Sequence, residues 1–216
     1  MPSLPSAFQT DPDLAAFINT IGPCPLRVDS TPSPEASLYT SLLKAITGQQ
    51  LHNAAARAIF GRLCALNLQD PTRPPPPEQF AQLSYETLRG CGLSQAKIDT
   101  IQRVAIAQHN GSLPSLQDAI TWSDSALINT LTQFKGIGRW TAEMLLLFTF
   151  HRPDIFPAHD LGVREGWRRL KQLAHRPTPK ELLQKTTIFA PHRSTLTWYC
   201  WEAKAHLAPS PSASPR

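Results

Sequence analysis

Cysteine is scarce in this 216-residue sequence, and the four that occur, Cys24, Cys64, Cys91 and Cys200, stand far apart. No two have the short spacing that a structural metal site or a redox motif needs. With no signal peptide, nothing points to a disulfide-forming compartment. Long apolar runs are missing too. The longest, around Met144 to Phe150, falls far short of the ~20 residues that cross a bilayer. No stretch reads convincingly as a strand, and no period of about 20 to 50 residues recurs. Charge of one sign is only mildly in excess: Lys+Arg exceed Asp+Glu by 21 to 16, a net +5. That is compatible with an anionic partner and does not require one. What remains is an intracellular all-α protein, long enough for one sizeable core or two small interlocked lobes.

Helical periodicity is what the sequence does have. Residues 1–10 carry little pattern and are expected to be loosely held. Asp11 reads as an N-cap with Pro12 at the first helical position, followed by Leu14, Phe17 and Ile18 on one face. Prolines 23, 25, 32 and 34 mark a connector. Leu38, Leu42, Leu43 and Ile46 form a clear helical face, which breaks at Thr47-Gly48-Gln49-Gln50-Leu51-His52 and resumes at Ala54. A glycine and polar residues between two apolar faces predict an exposed loop between helices. Pro74 to Pro77 is a stiff connector. Short helices are expected at 78–83 and 84–88, and Ser94 caps a longer one that Asn110-Gly111 stops. Ser123 caps another, which leads to Leu131 and Phe134. Later faces are Val163, Trp167, Leu170 and Leu173, then Leu196 to Ala205. Arg164, Arg168, Arg169 and Lys171 form either a solvated face or a phosphate contact. Residues 207–216, rich in proline and serine, read as a disordered tail.

The stretch from Leu131 to Asp160 organises the rest. A helix ends, the chain turns at Gly136-Ile137-Gly138, and a second, largely apolar helix begins at Arg139-Trp140-Thr141-Ala142. Apolar nearly all round, that helix should lie centrally. A Gly-x-Gly turn lets backbone N–H groups approach another object, and it feeds a helix N-terminus whose unpartnered N–H groups suit a phosphate. Taken alone it reads first as a tight helix connection without a ligand. Asp160, preceding a helix near Leu161, is by itself an N-cap.

Leu131-x-x-Phe134-x-Gly136-Ile137-Gly138-x-x-Thr141-Ala142, with Asp160 downstream, resembles the helix-hairpin-helix and catalytic aspartate of DNA glycosylases. Ala45-Ile46-Thr47-Gly48-Gln49-Gln50, Gly92-Leu93-Ser94-x-x-Lys97 and Pro191-x-Arg193-Ser194 agree, in order. The sequence is most similar to the 3-methyladenine DNA glycosylase II (AlkA-like) branch.

That resemblance implies an all-α fold of two helical lobes with a cleft between them. One lobe would be 38–159, carrying the helix-hairpin-helix at 131–150; the other would combine 11–37 with 160–206. It implies a hydrolase of base excision repair that releases alkylated, cationic bases such as 3-methyladenine from duplex DNA. Asp160 would be catalytic. Trp140, Met144, Leu161 and His192 would line the base pocket, with fewer aromatic faces than relatives carry. Gly136, Ile137, Gly138 and Thr141 would hold the phosphates. Gln50, or its neighbour Leu51, would fill the vacated stack, with His52 in the minor groove. Trp198 and Trp201 are assigned to the core. Strand-cutting glycosylases carry a lysine where Trp140 stands, so the expected enzyme is monofunctional. The resemblance implies no iron–sulphur cluster, since only Cys200 lies near the C-terminus, and allows a monovalent cation at the hairpin; no other metal is expected. The expected protein is a monomer in the cytoplasm, on the nucleoid, or in a nucleus, with no membrane contact. The competing readings are a non-catalytic helix-hairpin-helix DNA-binding module and a bifunctional glycosylase/AP lyase.

Overall fold

The structure, a computed structural model, describes residues 5–33 and 37–208. Within them the chain is helical, with no strand. Among the described residues no helix is long and apolar enough to cross a membrane. Pro34, within the expected connector, and the expected tail from residue 209 onward lie outside the described residues.

The chain starts with α1 (Ser6–Thr10) and α2 (Pro12–Ile21). For residues 6–10 the first of these corrects the expectation of a loosely held segment, residues 1–4 lying outside the described residues: Phe8 is wholly buried, edge-on to Phe189 at 5.2 Å. One large ring is enough to dock a single helical turn. Asp11 caps α2 as expected, accepting from the Leu14 N–H at 3.0 Å.

Eight helices then follow from α3 (Leu38–Gly48) and α4 (Asn53–Cys64), through α5 (Pro77–Phe80) and α6 (Tyr85–Gly90), to α7 (Gln95–His109). They end with α8 (Leu116–Ala119), α9 (Asp124–Leu131) and α10 (Arg139–Phe148). Serines 84, 94, 115 and 123 cap four of them, each accepting an N–H three residues on. The sequence patterns do not foresee α8, whose single turn is too short to show a period. Thr141 through Leu147 on α10 are all buried, and α10 packs on α3 and α9.

The chain closes with α11 (Leu161–Leu170), α12 (Pro179–Lys185), a 3-10 turn at Thr187–Phe189, and α13 (Arg193–His206). A capping box of Thr178 and Glu181 opens α12. The main packing is α11 against α13. It requires Gly166, because a Cβ there would lie 1.6 Å from the Cys200 carbonyl oxygen.

By its contacts the chain forms two compact units, one of residues 32–150 and one of 1–31 with 151–216. These bounds differ from the expected 37/38 and 159/160. Residues 151–159 group with the discontinuous unit because hydrogen bonds tie them to α13. The Ser194 N–H donates to the Pro153 carbonyl at 2.9 Å, the Ile155 N–H to Ser194 Oγ at 2.9 Å, and Thr197 Oγ1 to the Ile155 carbonyl at 3.0 Å.

Candidate active site

In the continuous unit the hairpin links α9 to α10. The Ile137 N–H closes it on the Phe134 carbonyl at 2.9 Å, and Gly136 takes φ +98°. Beta-carbon placement separates the two glycines. At Gly136 it would lie 1.9 Å from Thr100 Oγ1, so the hairpin rests on α7; at Gly138 it would meet nothing within 4 Å. Gly138 is the N-cap of α10 and offers no side-chain acceptor. The helix start therefore keeps its positive end open to an anion. The Ile137 and Thr141 side chains are buried, and the Thr141 hydroxyl accepts from Gln49 Nε2 at 2.9 Å. What Thr141 can offer a phosphate is its main-chain N–H, whereas the Ile137 N–H is taken by the turn.

The exposed loop between α3 and α4 is also present. Gln50 has φ +57°, and Gln50, Leu51 and His52 are exposed. His52 is the N-cap of α4: its Nδ1 accepts the Ala55 N–H at 3.2 Å. The neutral ring then carries its proton on Nε2. Lys97 reaches back from α7 to this loop, donating to the Thr47 carbonyl at 2.8 Å and the Gln49 carbonyl at 2.9 Å. Burial pulls its ammonium below the ordinary lysine range. On α10, Trp140 is exposed and Met144 buried, one helical turn apart.

In the discontinuous unit Asp160 is the N-cap of α11, and its Oδ1 accepts the Val163 N–H at 2.8 Å. The same oxygen accepts from Trp201 Nε1 at 3.3 Å. Trp201, expected in the core, is thus also a partner of the aspartate. The two residues are 41 positions apart, and only the fold brings them together. Gly162 makes the arrangement fit, since a Cβ there would stand 2.8 Å from Asp160 Oδ1 and 3.1 Å from Trp201 Cδ1. Leu161 and His192 are both exposed, at the first turns of α11 and α13.

Arg193 and Ser194 hold the segment that leads to Asp160. The Arg193 guanidinium clamps Asp154 through two hydrogen bonds of 2.8 and 2.6 Å. The basic run on α11 follows neither expected reading. Arg168 and Arg169 both pair with Glu165 at 2.8 and 2.9 Å, and Arg176 reaches it at 3.3 Å. The Arg168 guanidinium, ahead of the other two, holds the Glu165 carboxyl down at about 2. Lys171 pairs with Asp11 and with Asp13, and Arg164 donates to the Pro177 carbonyl at 2.8 Å. These cations staple the unit together.

Comparison with known proteins agrees with this geometry. The sequence model of the HhH-GPD superfamily base excision DNA repair proteins matches residues 43–191. DNA-3-methyladenine glycosylase 1 of Schizosaccharomyces pombe is 43% identical over 166 residues, covering 76% of this chain and 71% of that protein. The alkylbase DNA glycosidase-like protein mag2 of the same yeast is 34% identical over 188 residues, covering 87% and 86%. Among solved structures, the S. pombe 3-methyladenine DNA glycosylase Mag1 in complex with abasic DNA superposes with a TM-score of 0.80 at 38% identity, covering 89% of this chain and 91% of that one. The chain belongs to the HhH-GPD superfamily of base excision DNA repair proteins.

Proposed function

We propose that the chain is a monofunctional DNA glycosylase that removes cationic alkylated bases, 3-methyladenine first among them, from duplex DNA. The observation that carries this reading is the Asp160 carboxylate, whose Oδ1 is fixed by a main-chain donor and an indole donor. Methylation of a ring nitrogen makes the base positive and its glycosidic bond weak. The C1′–N bond breaks with its electron pair going to the base, which leaves neutral. The sugar left behind is oxocarbenium-like, and a carboxylate already in place stabilises it without reorganising. Water adds at C1′ and gives up a proton, leaving an abasic site.

The other residues take the parts their positions allow. The open N-terminus of α10 holds a phosphate through main-chain N–H groups from Gly138 onward. The Phe134 carbonyl accepts from Ile137 N and the Gly136 carbonyl from Gln49 Nε2. Each keeps a second lone pair, so the two would hold a monovalent cation, which would supply positive charge to the same phosphate. Gln50, or Leu51 beside it, fills the gap left by the extruded nucleotide, and His52 presents Nε2–H to acceptors in the minor groove. Trp140 supplies a stacking wall but no amine for an imine, so the strand is not cut. With Met144 one turn along α10 in place of a further ring, selection rests on ring charge more than on shape. The enzyme acts as a monomer, without an iron–sulphur cluster, wherever the genome lies: on a nucleoid or in a nucleus.

Single-turnover base release from a panel of duplexes tests this reading. We expect rapid loss of 3-methyladenine, detectable loss of 1-methyladenine and 3-methylcytosine, slow loss of hypoxanthine and no borohydride-trapped complex. Faster release of hypoxanthine than of the cationic bases, or a trapped covalent adduct, would contradict it.

A further inference from the structure

We propose that Lys97 and Gln49 are positioning residues that lock the α3–α4 loop to the hairpin, making phosphate grip and insertion of the Gln50 loop a single rigid device. The inference rests on the reading that this loop fills the stack when a base is extruded.

Three contacts carry it, all within the continuous unit. Lys97 Nζ donates to the carbonyls of Thr47 and Gln49 at 2.8 and 2.9 Å. Those carbonyls lie where α3 ends, so no later turn of α3 supplies their donors, and a cation there is favoured by the helix dipole. Gln49 Nε2 in turn donates to the Gly136 carbonyl at 3.2 Å and to Thr141 Oγ1 at 2.9 Å, on the hairpin and on α10. The third contact is Thr100 against Gly136, 1.9 Å from where a Cβ would stand. Residues 97 and 100 are one turn apart on α7, so one helix face supports the loop and the hairpin together.

The loop these contacts hold is not one the chain adopts freely. Gln50 sits at φ +57°, a region that side chains other than glycine rarely visit and that persists where surroundings impose it. With Lys97 and Gln49 in place the loop is set during folding, before DNA arrives. Losing either lets Gln50 relax, and the ordering then has to occur while a base is being extruded. The Lys97 ammonium directs two of its three protons at carbonyls and is drawn below the ordinary lysine range by burial.

The test uses Lys97→Met, Lys97→Arg, Gln49→Ala and Gln50→Ala in the full chain, each checked for folding by circular dichroism. Three quantities are read: affinity for undamaged duplex, fluorescence of a 2-aminopurine beside the lesion as a report of unstacking, and single-turnover release. Lys97→Met and Gln49→Ala should leave duplex affinity within about twofold, while unstacking and release slow about tenfold. Lys97→Arg, which keeps the donors, should recover most of the loss. The double variant Lys97→Met/Gln50→Ala should lose no more than Gln50→Ala alone, because Lys97 acts through that loop. Additive losses, or weakened duplex binding with normal unstacking, would overturn the proposal. Hydrogen exchange of the amides of residues 49–52 in the free protein gives a readout without DNA: Lys97→Met must speed it, and protection equal to wild type overturns the lock. Should Lys97→Met fail to fold, Gln49→Asn carries the same measurements. If wild-type protein binds duplex but releases no base, the glycosylase reading fails, while exchange still decides the lock.

Discussion

Replacing each hairpin glycine with alanine asks two different questions. Gly138 has φ −88°, and an added Cβ would meet nothing within 4 Å. Gly outranks Ala at an N-cap, so the exchange costs about 0.5–1 kcal/mol, and Gly138→Ala should melt about 1–4 °C below wild type. The new methyl nevertheless projects where an anion would approach the open end of α10. We expect affinity for undamaged duplex to fall about tenfold, or ~1.4 kcal/mol, alike for every sequence because phosphates carry no sequence. Gly136→Ala is the opposite case. A non-glycine residue at φ +98° costs about 1–2 kcal/mol, and forcing a methyl into Thr100 adds about 1–3 kcal/mol of overpacking. For a chain of this size that lowers Tm by roughly 4–20 °C. Differential scanning calorimetry and fluorescence anisotropy on both variants separate the effects. Unchanged duplex affinity in a folded Gly138→Ala would remove the phosphate from the α10 terminus. A Gly136→Ala protein melting like wild type would refute the packing argument.

Asp160→Asn keeps the cap, since asparagine serves as well at that position, and should abolish excision while duplex binding holds or improves; release near the wild-type rate would remove Asp160 from the chemistry. Trp201→Phe retains the ring face but loses the donor to Oδ1, so kcat should fall about tenfold with KM little changed, as for an interaction strengthened in the transition state. Equal changes in kcat and Tm-matched controls would make Trp201 packing alone. Glu165, held at about 2 against 4.5 when unfolded, contributes stability that is full above pH 4.5 and fades as pH falls toward 2. Wild type should therefore lose about 2–3 kcal/mol over that window, which urea melts of Glu165→Gln should not show.

Much of the fold was readable because local chemistry and tertiary structure agree in it. Serine and aspartate caps sit where the apolar periods begin, and the Gly-x-Gly turn falls between two of them. What local pattern does not carry is long-range. Phe8 has no periodic neighbours, so its docking on Phe189 leaves no trace in the sequence around it. Trp201 lies on a helix whose other face is core, and only the crossing of α11 and α13 at Gly166 brings its indole to Asp160. The basic run on α11 departs from both expected roles for a related reason. Its partners include Asp11, Asp13 and the carbonyls of Lys204 and Leu207, all distant along the chain. Lys97 belongs to a motif visible in the sequence, but its task, capping the end of α3, appears only in space.

The internal employment of these cations bears on how the protein senses salt. Arg62, Arg89, Arg164 and Arg169 donate to main-chain carbonyls, and Arg168 and Arg193 are clamped by carboxylates. Groups balanced by carboxylates or committed to carbonyls contribute less to counterion release from a polyanion than unengaged cations do. The logarithm of the binding constant falls with the logarithm of salt concentration in proportion to the phosphates neutralised, and hydrogen bonds from neutral amides add nothing to that slope. A grip built on the α10 terminus should thus be shallow in its ionic-strength dependence, less than the formal charge of +5 suggests. Such a protein would keep hold of DNA across changes in salt that dislodge a binder relying on lysine and arginine.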